Sequence, residues 1–137
     1  MDVTGRASYQ SWLESFASAR DVLAGTVHLR RGDALELVAT LNIPPPVMNA
    51  VRVISNGKGL TGIAFATREP VQPHDLQVNG GSAWVMHVHA AVALPVLDAA
   101  GEVRAVVGIT FLREGVLSAE LTHRLMAAAA ALPADVS

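Results

Sequence analysis

The sequence predicts an α+β domain: one central antiparallel sheet of about six strands, terminal helices packed on one of its faces, and loops plus a short helix on the other. Three observations lead there. Two pairs of alternating apolar segments, one near each end, are each joined by a short Gly-containing turn, as antiparallel hairpins are. Helical periodicity is strongest at the two ends. Between them, three glycines within residues 57–62 precede a short apolar helix that a proline terminates.

Taken in order, Tyr9, Trp12, Leu13, Phe16, Arg20 and Leu23 fall at the i, i+3, i+4, i+7 spacing of an amphipathic helix over residues 8–23. Half of the aromatic residues, Tyr9, Trp12 and Phe16, lie in that stripe, so it must bury against the sheet or another subunit. Residues 26–30 and 35–41 then alternate as strands. Val27 and Leu29 share one face of the first; Leu35, Leu37, Ala39 and Leu41 share one face of the second. Arg31-Gly32-Asp33 joins them. The tripeptide matches an integrin-binding sequence, but a charged turn that needs Gly accounts for it.

Pro44-Pro45-Pro46 starts a loop or a helical turn over the sheet. Residues 51–55 read as a short strand, 60–68 as the helix after the glycines, and Pro70–Pro73 as an edge strand, where proline is tolerated. Residues 74–86 lack periodicity and contain Asn79-Gly80-Gly81-Ser82, a flexible connection. Residues 90–97 and 103–112 form the second hairpin around Asp98-Ala99-Ala100-Gly101. The first of these strands is apolar on both faces, as a covered central strand is. Ser118 can cap a last helix with Leu121, Leu125, Ala128 and Leu132 on its inner stripe, ended by Pro133.

Composition narrows the function classes. A chain of 137 residues, 51% hydrophobic and 16% charged, fits one folded domain, expected over 1–137 with its core at about 8–132. Net charge is -2 without a basic run, so no nucleic-acid partner is expected. No apolar run reaches the roughly 18 residues of a membrane span, and no membrane partner is expected. Met1–Arg6 lacks the apolar core of a signal peptide, which makes the expected location cytoplasmic. With no cysteine there can be no disulfide, thiolate nucleophile or thiolate metal site.

Two segments carry a family resemblance. Gly57-Lys58-Gly59-Leu60-Thr61-Gly62, running on to Thr67-Arg68-Glu69-Pro70-Val71, is similar to the glycine-rich core of GAF domains, sensory relatives of the PAS fold. Ala93-Leu94-Pro95-Val96-Leu97, followed by Gly101–Ile109, resembles that family's last hairpin, with a Pro before the turn and a Gly interrupting the final strand. The resemblance covers roughly residues 8–132. It implies small-molecule sensing or an interaction role, and seldom catalysis. The Asn-Lys-Phe-Asp-Glu set of cyclic-nucleotide-binding members cannot be traced here. Bilin-binding members and those that reduce free methionine sulfoxide need cysteine, which this chain lacks.

Gly57–Gly62 is also a formal G-x-G-x-x-G match, with Asp75 near the position of a ribose-binding acid. A dinucleotide fold requires parallel βαβ units, however, and the glycines are better read as packing a loop and helix on the sheet. His87 and His89 form an H-x-H pair that a strand would present on one face; a metal site and a partly exposed loop junction both fit it, and no metal or cofactor is expected. Trp84 suits either a stacking wall for a flat ligand or a plug beneath the long loop. A pocket is expected between the sheet and residues 57–89, walled by Ile54, Phe65 and Trp84, with Thr61, His74, Asp75 and His87 as its orienting groups. No nucleophile elbow, P-loop or carboxylate pair stands out, so the chain is expected not to be an enzyme. The leading expectation is a sensory domain that binds a small molecule, forms a homodimer through its terminal helices and signals to an effector partner. The alternative is a dimerisation or protein-interaction module with a filled core.

Overall fold

The computed structural model describes residues 2–76 and 89–133. Helix α1 (Asp2–Ser18) is followed by strands β1 (Val22–Arg31) and β2 (Ala34–Leu41). A short helix α2 (Pro45–Ala50) leads to β3 (Val53–Ser55) and α3 (Gly59–Thr67). After a 3-10 turn at Pro73–Leu76 come β4 (His89–Leu97), β5 (Val103–Glu114) and α4 (Ala119–Ala129). The strands form one sheet in the order β3-β2-β1-β5-β4, each neighbouring pair antiparallel.

Five strands are present among the described residues, not six. The edge strand expected at Pro70–Pro73 contracts to a single bridge between Val71 and Ala93, with both backbone bonds made at 2.9 and 3.0 Å. Two prolines without N–H groups flank it, and the remaining amide, on Gln72, donates to the Asp75 carboxylate at 2.8 Å. The first helix is also displaced from its expected bounds. It ends at Ser18, and Leu23 belongs to β1. Arg20 lies just past the helix end, its guanidinium 4.2 Å from the Phe16 ring centre and 3.0 Å from the Phe16 carbonyl that it caps.

The two sheet faces are covered differently. Helices α1 and α4 share one of them, as expected: Tyr9, Leu13 and Phe16 from α1 and Leu125 and Ala129 from α4 pack over Val27, Leu29, Val107 and Ile109. Gln10 fastens α1 to the outer strand; its amide donates to the Thr40 carbonyl at 2.8 Å and accepts from the Thr40 N–H at 3.2 Å. The other face holds α3, whose Ala64 and Phe65 close on Leu35, Val103, Val106 and Ala93. The Ser118 hydroxyl accepts from the Leu121 amide at 3.1 Å, so it caps α4 as the sequence indicated. That helix ends at Ala129, ahead of Pro133, and Arg104 secures the following turn by donating to the Leu132 and Pro133 carbonyls. No described helix is long and apolar enough to cross a membrane.

Gly62 explains how α3 can lie so close to the sheet. A Cβ there would stand 2.6 Å from the Ser55 carbonyl oxygen, inside any permitted contact. Gly57 and Gly59 take φ of +83° and +66°, the left-handed region that glycine enters without strain. The Gly57 amide then bonds the Gly62 carbonyl at 2.9 Å, locking the loop to the helix.

Candidate functional site

Strand alternation and register place a small-residue, hydroxyl-bearing floor on the α3 side of the sheet. Thr26 pairs with Gly108 and His28 with Val106 across β1 and β5; Ala91 pairs with Thr110 and Ala93 with Gly108 across β4 and β5. Cross-strand partners share a face, so Thr26, His28, Ala91, Gly108 and Thr110 all point toward the α3 side. Thr61 on α3 overhangs the same spot: a Cβ added at Gly108 would meet the Thr26 hydroxyl at 2.8 Å and the Thr61 hydroxyl at 3.9 Å. Gly108 thus leaves room for two hydroxyls where any side chain would intrude. Thr26, Thr61, Ala91, Gly108 and Thr110 are each half-buried, while Ala64, Val106 and Ala93 beside them are buried.

His28 is the chemically distinctive group of this floor. It is 1% exposed, on the strand at the centre of the sheet. Its Nε2 lies 2.8 Å from the Val51 carbonyl oxygen, which can only accept, so Nε2 carries the proton. Nδ1 has no hydrogen-bond partner among the described residues. Burial lowers the pKa below the ordinary histidine value, and the bond to Val51 opposes this in part. The ring is therefore neutral near pH 7 and turns a bare lone pair toward the interior.

The expected site residues do not form one cluster. Ile54 pairs with Leu35 at the β3 edge and packs against the core under α3, and Phe65 is 7% exposed within that core. Both fill the space they were expected to wall, because Gly62 brings α3 down onto the sheet. Thr61, on α3, stands over Gly108, its hydroxyl 3.9 Å from where a Cβ there would lie. His74 and Asp75 form an exposed pair on the 3-10 turn, with Nε2 and Oδ1 3.1 Å apart. Asp75 is occupied in capping that turn through the Gln72 amide. The two line a groove of ≈ 570 Å³ against α4, together with Gln72, Thr122, His123 and Met126, and apart from Ile54, Thr61 and Phe65. Trp84 and His87 lie outside the described residues. No group of three or more potential metal ligands occurs among the described residues.

Sequence reasoning missed Thr26 and His28. The signal was the reverse side of a strand already recognised: with Val27 and Leu29 inward on one face, residues 26, 28 and 30 form the other. A histidine midway along a central strand has to be buried.

No protein-family model and no curated protein matches the sequence. Solved structures match the fold. The GAF domain of the Acinetobacter phosphoenolpyruvate-protein phosphotransferase superposes with a TM-score of 0.69 at 16% identity, over 93% of this chain and 79% of that one. The A. aeolicus nlh2 GAF domain gives 0.60 at 20% identity, over 91% and 77%. The type II free methionine-R-sulfoxide reductase of Thermoplasma acidophilum gives 0.69 at 15% identity, over 92% and 87%. This last neighbour corrects the expectation that the chain is not an enzyme, since proteins with this fold include catalysts. Motif scanning misled because catalytic groups are brought together by tertiary structure and need not be neighbours in sequence. The lack of cysteine removes thiol chemistry alone.

Proposed function

The chain has the GAF-domain fold, and from that premise we propose that it binds a small molecule between the sheet floor and helix α3, and signals through a homodimer. The observation that carries the reading is His28, buried with one ring nitrogen unpartnered among the described residues, on the same sheet face as the hydroxyl of Thr26, for which Gly108 leaves room. A core built only for packing would place apolar side chains there, because a buried polar atom without a partner costs stability. The floor belongs to the sheet and Thr61 to α3, regular elements on which binding groups can be held in place.

The dimer is assigned to the terminal helices. The outer side of α1 carries an open groove lined by Ala7, Ser8, Ser11, Trp12 and Ser15, and Ala127 on α4 and Ala130 just past its end are exposed. Small residues let a second helix approach closely. An effector would then read changes in helix packing that follow ligand binding.

Native mass spectrometry of the purified chain, followed by a thermal-shift screen of metabolites, tests the reading. A ligand that binds only the folded state stabilises it by about 2.7 kcal/mol at a hundred times its Kd. At least one compound should raise Tm, and Thr26→Val or Trp84→Ala should abolish the rise. One observation favours the second reading, a dimerisation module: Ile54 and Phe65 already fill the space under α3. A dimer with no retained mass and no stabiliser would decide for that module.

A further inference from the structure

The unpartnered nitrogen of His28 restricts what can bind the floor. Nε2–H is committed to the Val51 carbonyl at 2.8 Å, which leaves Nδ1 with a lone pair and no proton to offer. His28 and Thr26 stand two residues apart on one strand face, a rise of about 7 Å, within the span of one small ligand. The threonine hydroxyls at 26, 61 and 110 can donate or accept, so they impose no polarity. His28 does impose one: an incoming carboxylate or phosphate oxygen would face lone pair against lone pair in a water-poor site.

We propose that the ligand of this site presents an N–H or O–H donor to Nδ1 of His28, as amides, ureas, lactams, alcohols and ammonium groups can, and does not meet that atom with a carboxylate or phosphate oxygen. The inference rests on the ligand-binding reading above. It adds the polarity of the ligand at one named atom. The low proton affinity of the buried ring agrees with it, because a neutral imidazole keeps its acceptor at physiological pH. An anion-binding site would instead need a cation or several N–H donors converging on the floor. Arg30, the nearest cation along β1, is engaged at the strand end with Gly32 and Glu102.

The test uses the full chain, labelled with 15N in its histidine rings, and matched fragment triples such as benzamide, N,N-dimethylbenzamide and benzoate. Each triple holds shape nearly constant while it changes a donor for a methylated amide or an anion. Binding is followed by thermal shift and by the Nδ1 resonance of His28. The expected result is that donor-bearing members bind about tenfold more tightly than their methylated partners, the worth of one hydrogen bond, and move the Nδ1 signal. His28→Phe keeps a ring of similar shape and removes both nitrogens, the Nδ1 acceptor included, and should erase the preference. If that variant does not fold, the wild-type Nδ1 resonance and the ranking within each triple still decide. Fragments that bind in competition with one another while carboxylates rank equal or first, with Nδ1 unmoved, would overturn the inference and leave the pocket standing. If no fragment of any class binds and native mass spectrometry finds no retained ligand, the binding reading falls, and the inference with it.

Discussion

Replacing Gly62 by alanine tests whether α3 is held at its present height by the absence of one methyl group. The added Cβ would lie 2.6 Å from the Ser55 carbonyl oxygen and 3.3 Å from the backbone of Gly57. These neighbours are main-chain atoms, so no rotamer change relieves the contact and the helix must lift. Overpacking of this kind costs about 1–3 kcal/mol. Lifting also stretches the bond from the Gly57 amide to the Gly62 carbonyl, now 2.9 Å, at a further cost of about 1 kcal/mol. Alanine returns about 1 kcal/mol through helix propensity. The balance is a loss of about 1–3 kcal/mol, or roughly 4 °C in Tm per kcal/mol for a domain of this size. Urea denaturation with an unchanged m-value would measure it. Gly59→Ala is the control, since that site has open space and only its φ of +66° to oppose a side chain; it should cost about 1 kcal/mol. A Gly62→Ala protein as stable as wild type, or more so, would refute the close-approach argument.

Three further outcomes are expected. Gly108→Ala should change stability by less than about 1 kcal/mol, because the atom in its way is the Thr26 hydroxyl, which can rotate; any stabilising ligand should lose most of its Tm effect, and retention of that effect would place the ligand elsewhere. Phe16→Asp should unfold the chain and not merely separate a dimer, since Phe16 is 5% exposed within one chain and its loss alone costs about 3–5 kcal/mol; circular dichroism that still shows a folded monomer would contradict this. Stability should fall as pH is lowered below 6.5, where the unfolded imidazole of His28 takes up a proton that the folded one, with its lowered pKa, does not. The loss continues until the folded pKa is reached and then levels off. Denaturation midpoints in His28→Gln should lack this contribution, and an identical pH profile in the variant would assign it to other groups.

The sequence by itself determined the local elements and their order. Alternation located both hairpins, the Gly32 and Gly101 turns and the Ser118 cap, because period, turn chemistry and capping are properties of a few consecutive residues. It also showed that the glycines at 57–62 serve packing, and with the hairpin motifs it pointed to the fold that the solved structures share. Tertiary structure alone decided the rest. That Pro70–Pro73 yields one bridge depended on where the Gln72 amide finds its acceptor. That Ile54 and Phe65 are core depended on how far α3 descends, which the contact between Gly62 and Ser55 sets. The proposed site lies across β1, α3 and β5: Thr26, His28, Thr61 and Gly108 come from segments distant in sequence that the tertiary structure brings together. His28 looked like one unremarkable position in an alternating strand, because nothing local reveals that the Val51 carbonyl takes one ring nitrogen and that the other has no partner among the described residues.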